Sequence, residues 1–160
     1  MTWHETNAEF NALIKQLFHD DDWQKRAEAA RQLGLLKDGR ATNLLCTALR
    51  SEQDHTVVNK IIEALGRIKD GRATLRIIEH LKNEQERDIP DKFRIIYIIE
   101  SLTRIKDKRA LTYLAPLLDS SDDEIKNLTL NAFDIIEPDW QEIIERERNK
   151  SIQEIFKVNE

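Results

Sequence analysis

Apolar residues recur at spacings of three and four along most of the chain, the pattern of amphipathic helices. In segment 5–18 the stripe consists of Ala8, Phe10, Leu13, Ile14 and Leu17. The same periodicity predicts further helices at 22–36, 40–50, 56–68, 72–82, 91–105, 109–118, 122–136 and 139–156. Only four glycines and three prolines are present, which leaves little room for strands and tight hairpins. We therefore predict an all-α fold of about nine helices.

A short segment recurs between these helices. Residues 68–74, Ile-Lys-Asp-Gly-Arg-Ala-Thr, repeat residues 36–42 almost letter for letter, and a looser copy follows at 105–111. A repeated pair of helices cannot bury its apolar stripe alone, and stacking supplies the missing surface. We predict one domain, 1–160, folded as a right-handed α-α superhelix. Its repeat units are 5–36, 40–68, 72–105 and 109–136, four stacked pairs followed by a capping helix at 139–156.

The connections carry turn and capping signals. Gly39 permits a positive φ, and Asp38 can accept hydrogen bonds from amides at the start of the next helix. The acidic run 20–22 lacks the spacing of an EF-hand, so it predicts a turn and an N-cap rather than a calcium site. The connection at 83–91 is longer than the others and contains Pro90, which breaks the helix.

The repeat resembles the HEAT-like repeat of the phycobilisome-lyase type over about residues 8–137. The residues that carry the resemblance are Arg26, Ala29, Ala30, Leu33, Gly34 and 38–41 in the first copy, then 64–66 and 70–73 in the second. The third copy keeps Leu102, Asp107, Arg109 and Ala110, but has Thr103 where a glycine is expected. The resemblance implies a HEAT-like solenoid, an architecture that serves as a general scaffold.

The resemblance also implies that the second helix of each pair lines the concave side and carries the binding surface. Aligned on the repeat, the binding positions are Trp23, Ala27, Arg31, Leu35, Asn59, Lys60, Glu63, Arg67, Phe93, Ile96, Tyr97, Glu100, Arg104, Asn127 and Asn131. The aromatic and aliphatic members would be anchors and the arginines would select charge. Glu63 with Arg67, and Glu100 with Arg104, have the spacing of i,i+4 ion pairs. A small rotation of helix 91–105 would instead place part of its apolar strip in the core.

Charge and composition narrow the choice of partner. The net charge is −5 and the pI is about 5.5, which argues against nucleic acid because phosphate binding needs a clustered basic face. No apolar run approaches the roughly 20 residues of a membrane span, and no secretory signal is visible, so we expect a cytoplasmic protein. Cys46, the only cysteine, excludes a disulfide framework within the chain.

Catalytic signals are weak. His4, His19, His55 and His80 are scattered over separate repeats without an i,i+4 pair, unlike the paired His-Glu motifs of the di-iron HEAT-like deoxyhypusine hydroxylases. No glycine-rich phosphate loop is present, and the acidic charge disfavours the branch that excises alkylated bases from DNA. We expect no enzyme, metal or cofactor, and a protein or peptide partner. The alternative is an accessory or partial subunit of a bilin-lyase-like, pigment-handling system.

Overall fold

The computed structural model describes residues 2–158, which contain ten α-helices and no strand. The helices are α1 (Trp3–His19), α2 (Trp23–Leu36), α3 (Thr42–Ser51), α4 (His55–Ile68), α5 (Thr74–Gln85), α6 (Lys92–Ile105), α7 (Leu111–Leu114), α8 (Asp123–Ile136), α9 (Trp140–Arg146) and α10 (Ile152–Ile155). Short 3₁₀ helices lie at Gly39–Ala41, Gly71–Ala73, Lys108–Ala110 and Ala115–Asp119. The prediction of an all-α helical repeat is confirmed.

The helices form two compact units, one ending at Ala73 and the other beginning at Thr74. In the first unit α1 packs on α2 and α3, and α2 lies along α4. In the second unit α5 packs on α6, α6 lies along α8, and α7 packs on α8. Fully buried aliphatic side chains fill both units: Leu33, Leu45, Ile61, Ile62 and Leu65 in the first, Ile77, Ile98, Ile99 and Leu102 in the second. The single-domain assignment stays a prediction.

The second helix of each pair begins at an aspartate. Asp22, Asp54, Asp91 and Asp122 each accept a hydrogen bond from a backbone N–H in the first turn of the helix that follows. These bonds satisfy amides that no helical carbonyl can reach. The N-cap predicted from the acidic run 20–22 is confirmed at Asp22, whose Oδ1 lies 2.9 Å from the Gln24 nitrogen.

In each of the first three corners the left-handed residue is a lysine and not a glycine, as was predicted for Gly39. Lys37, Lys69 and Lys106 have φ values of 51°, 62° and 59°, and no described glycine has a positive φ. Each lysine is the C-cap of its helix, where the chain leaves the α conformation. The expectation for Gly39 was therefore wrong, because Gly39 begins the 3₁₀ turn two residues further on.

An aspartate and an arginine close each of the first three corners. The aspartate accepts from the backbone N–H of the arginine two residues later, and the guanidinium folds back to form an ion pair of 2.6–2.7 Å. The pairs are Asp38–Arg40, Asp70–Arg72 and Asp107–Arg109. The fourth corner lacks this pair, and its Glu137 instead bonds Lys108 of the third corner at 2.8 Å.

Two predicted helices are interrupted. Segment 109–118 is a one-turn α7 followed by a 3₁₀ helix, since Pro116 has no N–H to continue the α ladder. The predicted capping helix 139–156 is split into α9 and α10, because the polar segment between them is exposed and Ser151 caps a new helix. The Phe133 ring of α8 packs against the Trp140 and Phe156 rings, with centroids 5.2 and 5.5 Å away.

Candidate protein-binding surface

The residues predicted to bind fall at equivalent places in the four second helices. Counted from the capping aspartates, most of them lie five, six, nine or thirteen residues later, which is one helical face. We call the face formed by α2 and α4 the first-unit surface, and the face formed by α6 and α8 the second-unit surface. The two surfaces differ in chemistry.

The first-unit surface exposes Trp23 and Leu35 at opposite ends of α2, with 43% and 46% of their area accessible. Arg31 of α2 is half-buried, as are Asn59, Lys60, Glu63 and Arg67 of α4. Ala27 is only 8% exposed, so its prediction as an accessible position was wrong.

Ion pairs occupy the middle of the first-unit surface. The Arg31 guanidinium donates to both Glu28 oxygens at 2.7 and 2.8 Å, and the Gln32 amide donates to the same carboxylate. Hydrogen bonds from Arg31 and then Gln32 lower the pKa of Glu28 to about 2. On α4, Glu63 lies 3.7 Å from Arg67, which confirms the predicted pair, and 3.9 Å from Lys60. The charges of this surface are thus largely neutralised by one another.

The second-unit surface is apolar over the first two turns of α6. Phe93 is 70% exposed, Ile96, Tyr97 and Leu128 are half-buried, and Ile135 is 40% exposed. Asn127 and Asn131 are exposed beside them on α8, and Glu100 and Arg104 are exposed on α6. No ion pair joins Glu100 and Arg104 within residues 2–158, so the second predicted pair is not formed.

The rotation of α6 explains why Phe93 lies in solvent. The buried face of the helix is formed by Ile95, Ile98, Ile99, Leu102 and Ile105. Phe93 lies on the opposite side, and Ile96 and Tyr97 lie at the boundary between the two faces. The sequence left open whether the apolar strip of this helix lies on the surface or in the core. In the structure Phe93 lies on the surface.

The first turns of α6 and α8 are held together by one lysine. Lys92 Nζ lies 3.0 Å from Asp122 Oδ2 and 3.1 Å from Glu124 Oε2. The hydrogen bonds that Lys92 donates, first to Asp122 and then to Glu124, raise the pKa of Lys92. Phe93 directly follows Lys92, so the most exposed of the large apolar residues of the second-unit surface is adjacent to a fixed contact between its helices.

Sequence reasoning missed an apolar side chain next to this surface. Ile89 is 83% exposed in the loop between α5 and α6. The corners at Leu36, Ile68, Ile105 and Ile136 are 32, 37 and 31 residues apart, and the longest interval contains this loop. The longer interval could have revealed an inserted loop. It does not indicate which residue of the loop is exposed.

A cavity in the second unit is a weaker candidate site, because its side chains already contact one another. An open cavity of about 550 Å³ lies between α7 and the C-terminal segment, lined by residues that include Arg109, Tyr113 and Lys157. Arg109 is paired with Asp107, and Lys82 lies over the Tyr113 ring.

Within residues 2–158, no group of three or more His, Cys, Asp or Glu side chains could hold a metal ion. In the same range, no helix has the length and apolarity needed to cross a membrane.

Comparison with family models identifies the repeat. The model for HEAT repeats matches residues 10–91. The chain belongs to the HEAT repeat family. HEAT repeats are commonly protein-interaction scaffolds and typically non-catalytic. No curated protein matches the chain. The match does not single out the phycobilisome-lyase type, so that finer resemblance and the pigment-handling alternative stay predictions.

Proposed function

We propose that this HEAT repeat chain is a non-enzymatic protein-binding module that contacts its partner mainly through the second-unit surface. The observation that carries the proposal is the 70% exposure of Phe93 beside half-buried Ile96 and Tyr97. Aromatic side chains are frequent anchors of protein interfaces, and contiguous exposed apolar patches often mark interaction sites. The cytoplasmic location expected from the sequence is part of this proposal.

Burial of Phe93 alone would contribute substantially to binding. Moving a phenylalanine side chain from water into an apolar interface is worth about 2 kcal/mol. Tyr97 adds a ring with a hydroxyl at its tip, a combination enriched at interfaces. The two residues lie four positions apart on α6, so one partner segment can cover both.

The asparagines of α8 support a peptide as the partner. Asn127 and Asn131 are one turn apart and exposed, and neither amide is hydrogen-bonded within residues 2–158. A carboxamide offers both a donor and an acceptor, which matches the N–H and C=O groups of a peptide backbone. These side chains could therefore bind a segment without selecting its side chains.

The first-unit surface has a secondary role in this proposal. Trp23 and Leu35 can each cover apolar groups, but the ion pairs between them must be broken before Arg31 or Arg67 can bind a partner's carboxylate. Exchanging one ion pair for another yields little free energy at an exposed surface. We therefore expect substitutions at Trp23 to weaken binding less than substitutions at Phe93.

Quantitative affinity capture with matched variants tests the proposal. Wild-type chain, Phe93→Ala with Tyr97→Ala, and Trp3→Ala are used as baits in the native lysate. Trp3 is 72% exposed on α1, so it is an aromatic control of similar exposure on a helix that forms neither surface. Proteins captured by the wild type and Trp3→Ala but lost by the double variant are then titrated by calorimetry. The expected loss of affinity for the double variant is on the order of 2 kcal/mol.

The proposal fails if the double variant retains every partner of the wild type. It also fails if Trp3→Ala and the double variant lose the same partners, because the effect would then follow general hydrophobicity. Circular dichroism of the variants should match the wild type, since the substituted side chains are largely outside the core.

A further inference from the structure

Ile89 is an exposed apolar residue in the loop between α5 and α6, and hydrogen bonds hold both ends of this loop. The Glu84 carboxylate is 5% exposed and accepts from the Asp91 backbone nitrogen at 2.7 Å and from Arg87 Nη1 at 3.0 Å. Asp91 in turn caps α6 through the Arg94 nitrogen. Both ends of the loop are therefore held, while Ile89 in the middle is 83% exposed.

The same end of the second-unit surface is acidic. Glu86, Asp88 and Asp123 are exposed carboxylates with no ion-pair partner within residues 2–158. Glu124 is exposed as well and shares Lys92 with Asp122. We call Glu86, Asp88, Asp123 and Glu124 the acidic rim. The basic residues at this end are Arg87 in the loop, Lys92 on α6 and Lys126 on α8. Arg87 is paired with Glu84, so the carboxylates still outnumber the basic side chains.

The negative charge of the whole chain is also concentrated in the second unit. The first unit contains eleven acidic and eleven basic residues, whereas the second contains nineteen acidic and fourteen basic ones. The entire net charge of −5 therefore lies in the second unit. An acidic partner segment would be repelled from this unit, and a basic one would be attracted to it at a distance.

We infer that this end of the second-unit surface binds a basic, apolar segment of a partner protein. An apolar side chain of the segment packs against Phe93 and Ile89, and lysines or arginines on either side of it pair with the acidic rim. The inference rests on the proposed function and adds the chemistry of the partner. Apolar contact supplies most of the affinity, while the charges select the partner and accelerate association.

Selection from a random peptide display library on the immobilised full chain tests the inference. The bait variants are Phe93→Ala, a rim variant (Asp88→Asn, Asp123→Asn, Glu124→Gln) and a control variant (Glu9→Gln, Asp21→Asn, Glu142→Gln). The control residues are exposed carboxylates of α1, the α1–α2 connection and α9, and both triple variants change the net charge equally. Enriched peptides are synthesised and their affinities measured by fluorescence anisotropy at low and moderate salt.

The expected peptides combine large apolar residues with lysines and arginines. Their affinity should fall about tenfold with the rim variant, since each exposed ion pair contributes modestly, and should change less than about twofold with the control variant. It should also fall with salt and with Phe93→Ala.

Three results would overturn the inference while leaving the proposed function intact: neutral or acidic enriched peptides, equal effects of the two triple variants, or a Phe93-dependent self-association in sedimentation velocity that occupies the surface. Enriched peptides that bind Phe93→Ala as well as the wild type would overturn both. A library that yields no enriched peptide would overturn the inference.

Discussion

Arg72 bonds the Asp70 carboxylate through two nitrogens, and the shorter contact, from Nη2 to Oδ2, is 2.6 Å. The same Nη2 donates to the carbonyl oxygen of Gly39 at 3.1 Å. Arg40 likewise bonds Asp38 and reaches Asn7 of α1. Each arginine thus closes its own corner and joins it to the preceding part of the first unit. The repeated Asp-x-Arg sequence is explained by this structural task.

The first prediction concerns the pH dependence of stability through Asp70. Hydrogen bonds from the Arg72 guanidinium, more than offsetting the effect of burial, lower the pKa of Asp70 to about 2 from an unperturbed value of 3.8. A carboxylate with a lowered pKa stabilises the fold above its unfolded pKa, and the contribution is lost as the pH falls from about 4 to about 2. Asp70→Asn should lower the free energy of unfolding by about 1 kcal/mol at neutral pH, since the solvent-exposed Arg72 is partly screened.

Urea unfolding of the wild type and Asp70→Asn at several pH values measures this effect. Asparagine can still accept the Arg72 backbone N–H, so the substitution isolates the charge. The difference in free energy should be constant between neutral pH and about pH 5, then shrink as the pH approaches the lowered pKa. A difference that stays constant down to the lowest pH at which the fold persists would contradict the assignment.

The second prediction compares two glycines. A Cβ placed on Gly34 would lie 2.8 Å from the Ala64 Cα, where backbone cannot yield easily. On Gly39 the nearest atom would be Arg72 Nη2 at 3.9 Å, which is ordinary contact. Gly34→Ala should therefore destabilise the fold by about 1–2 kcal/mol, because overpacking exceeds the gain in helix propensity. Gly39→Ala should be neutral or slightly stabilising. Thermal unfolding of the two variants measures this difference in stability. Equal unfolding midpoints would refute the close approach of α2 to α4.

Periodicity predicted most of the fold, because each second helix has a wide apolar face and a capping aspartate. The ends of α4 and α6 were placed within one residue of their observed positions. The failures lie where the local rules compete. Gly39 has the residue type for a positive φ, yet the left-handed residue is Lys37, the C-cap of α2. The segment 139–156 has apolar residues at both ends, but its polar middle has no surface to pack on.

The candidate surface was predicted less completely than the fold. Alignment of the repeats placed Phe93 and Asn127 correctly in solvent, because the helical phase follows from the buried residues. It could not foresee that Ala27 is covered, since burial of a small side chain depends on its neighbours. It also could not foresee Ile89, since no repeat provides a template for an inserted loop.

The third prediction concerns the left-handed lysines. A non-glycine residue in this conformation costs about 1 kcal/mol. Lys69→Gly should therefore stabilise the first unit by about 0.5–1 kcal/mol, while Lys69→Val should destabilise it because a branched Cβ increases the clash. Lys25, an exposed helical residue of α2, supplies the control: Lys25→Gly should destabilise. Chemical denaturation of the three variants measures the order, and stabilisation by Lys69→Val would contradict the conformation.

The fourth prediction concerns the buried carboxylate that holds the loop carrying Ile89. Burial lowers the pKa of the 6% exposed Arg94, and the charges of Glu84 and Asp91 counter that effect. Glu84→Gln would remove one of these charges and weaken the bonds to Arg87 and Asp91. We expect a loss of about 2 kcal/mol, because the substitution weakens hydrogen bonds to a buried carboxylate and leaves less negative charge to offset buried Arg94. Cleavage by trypsin at Arg87 should accelerate more than global unfolding accounts for, as the loop opens locally.

Glu79→Gln is the matched control for this change. Glu79 pairs with Arg76 at 2.8 Å on the same helix, but its side chain is 54% exposed. Removing its charge should change the free energy of unfolding by less than about 0.5 kcal/mol, because water screens the pair and solvates the arginine that remains. Equal effects of the two substitutions would show that burial of Glu84 does not hold the loop. Ile89 would then be presented by a segment free to move, and ordering it on binding would carry an entropic cost.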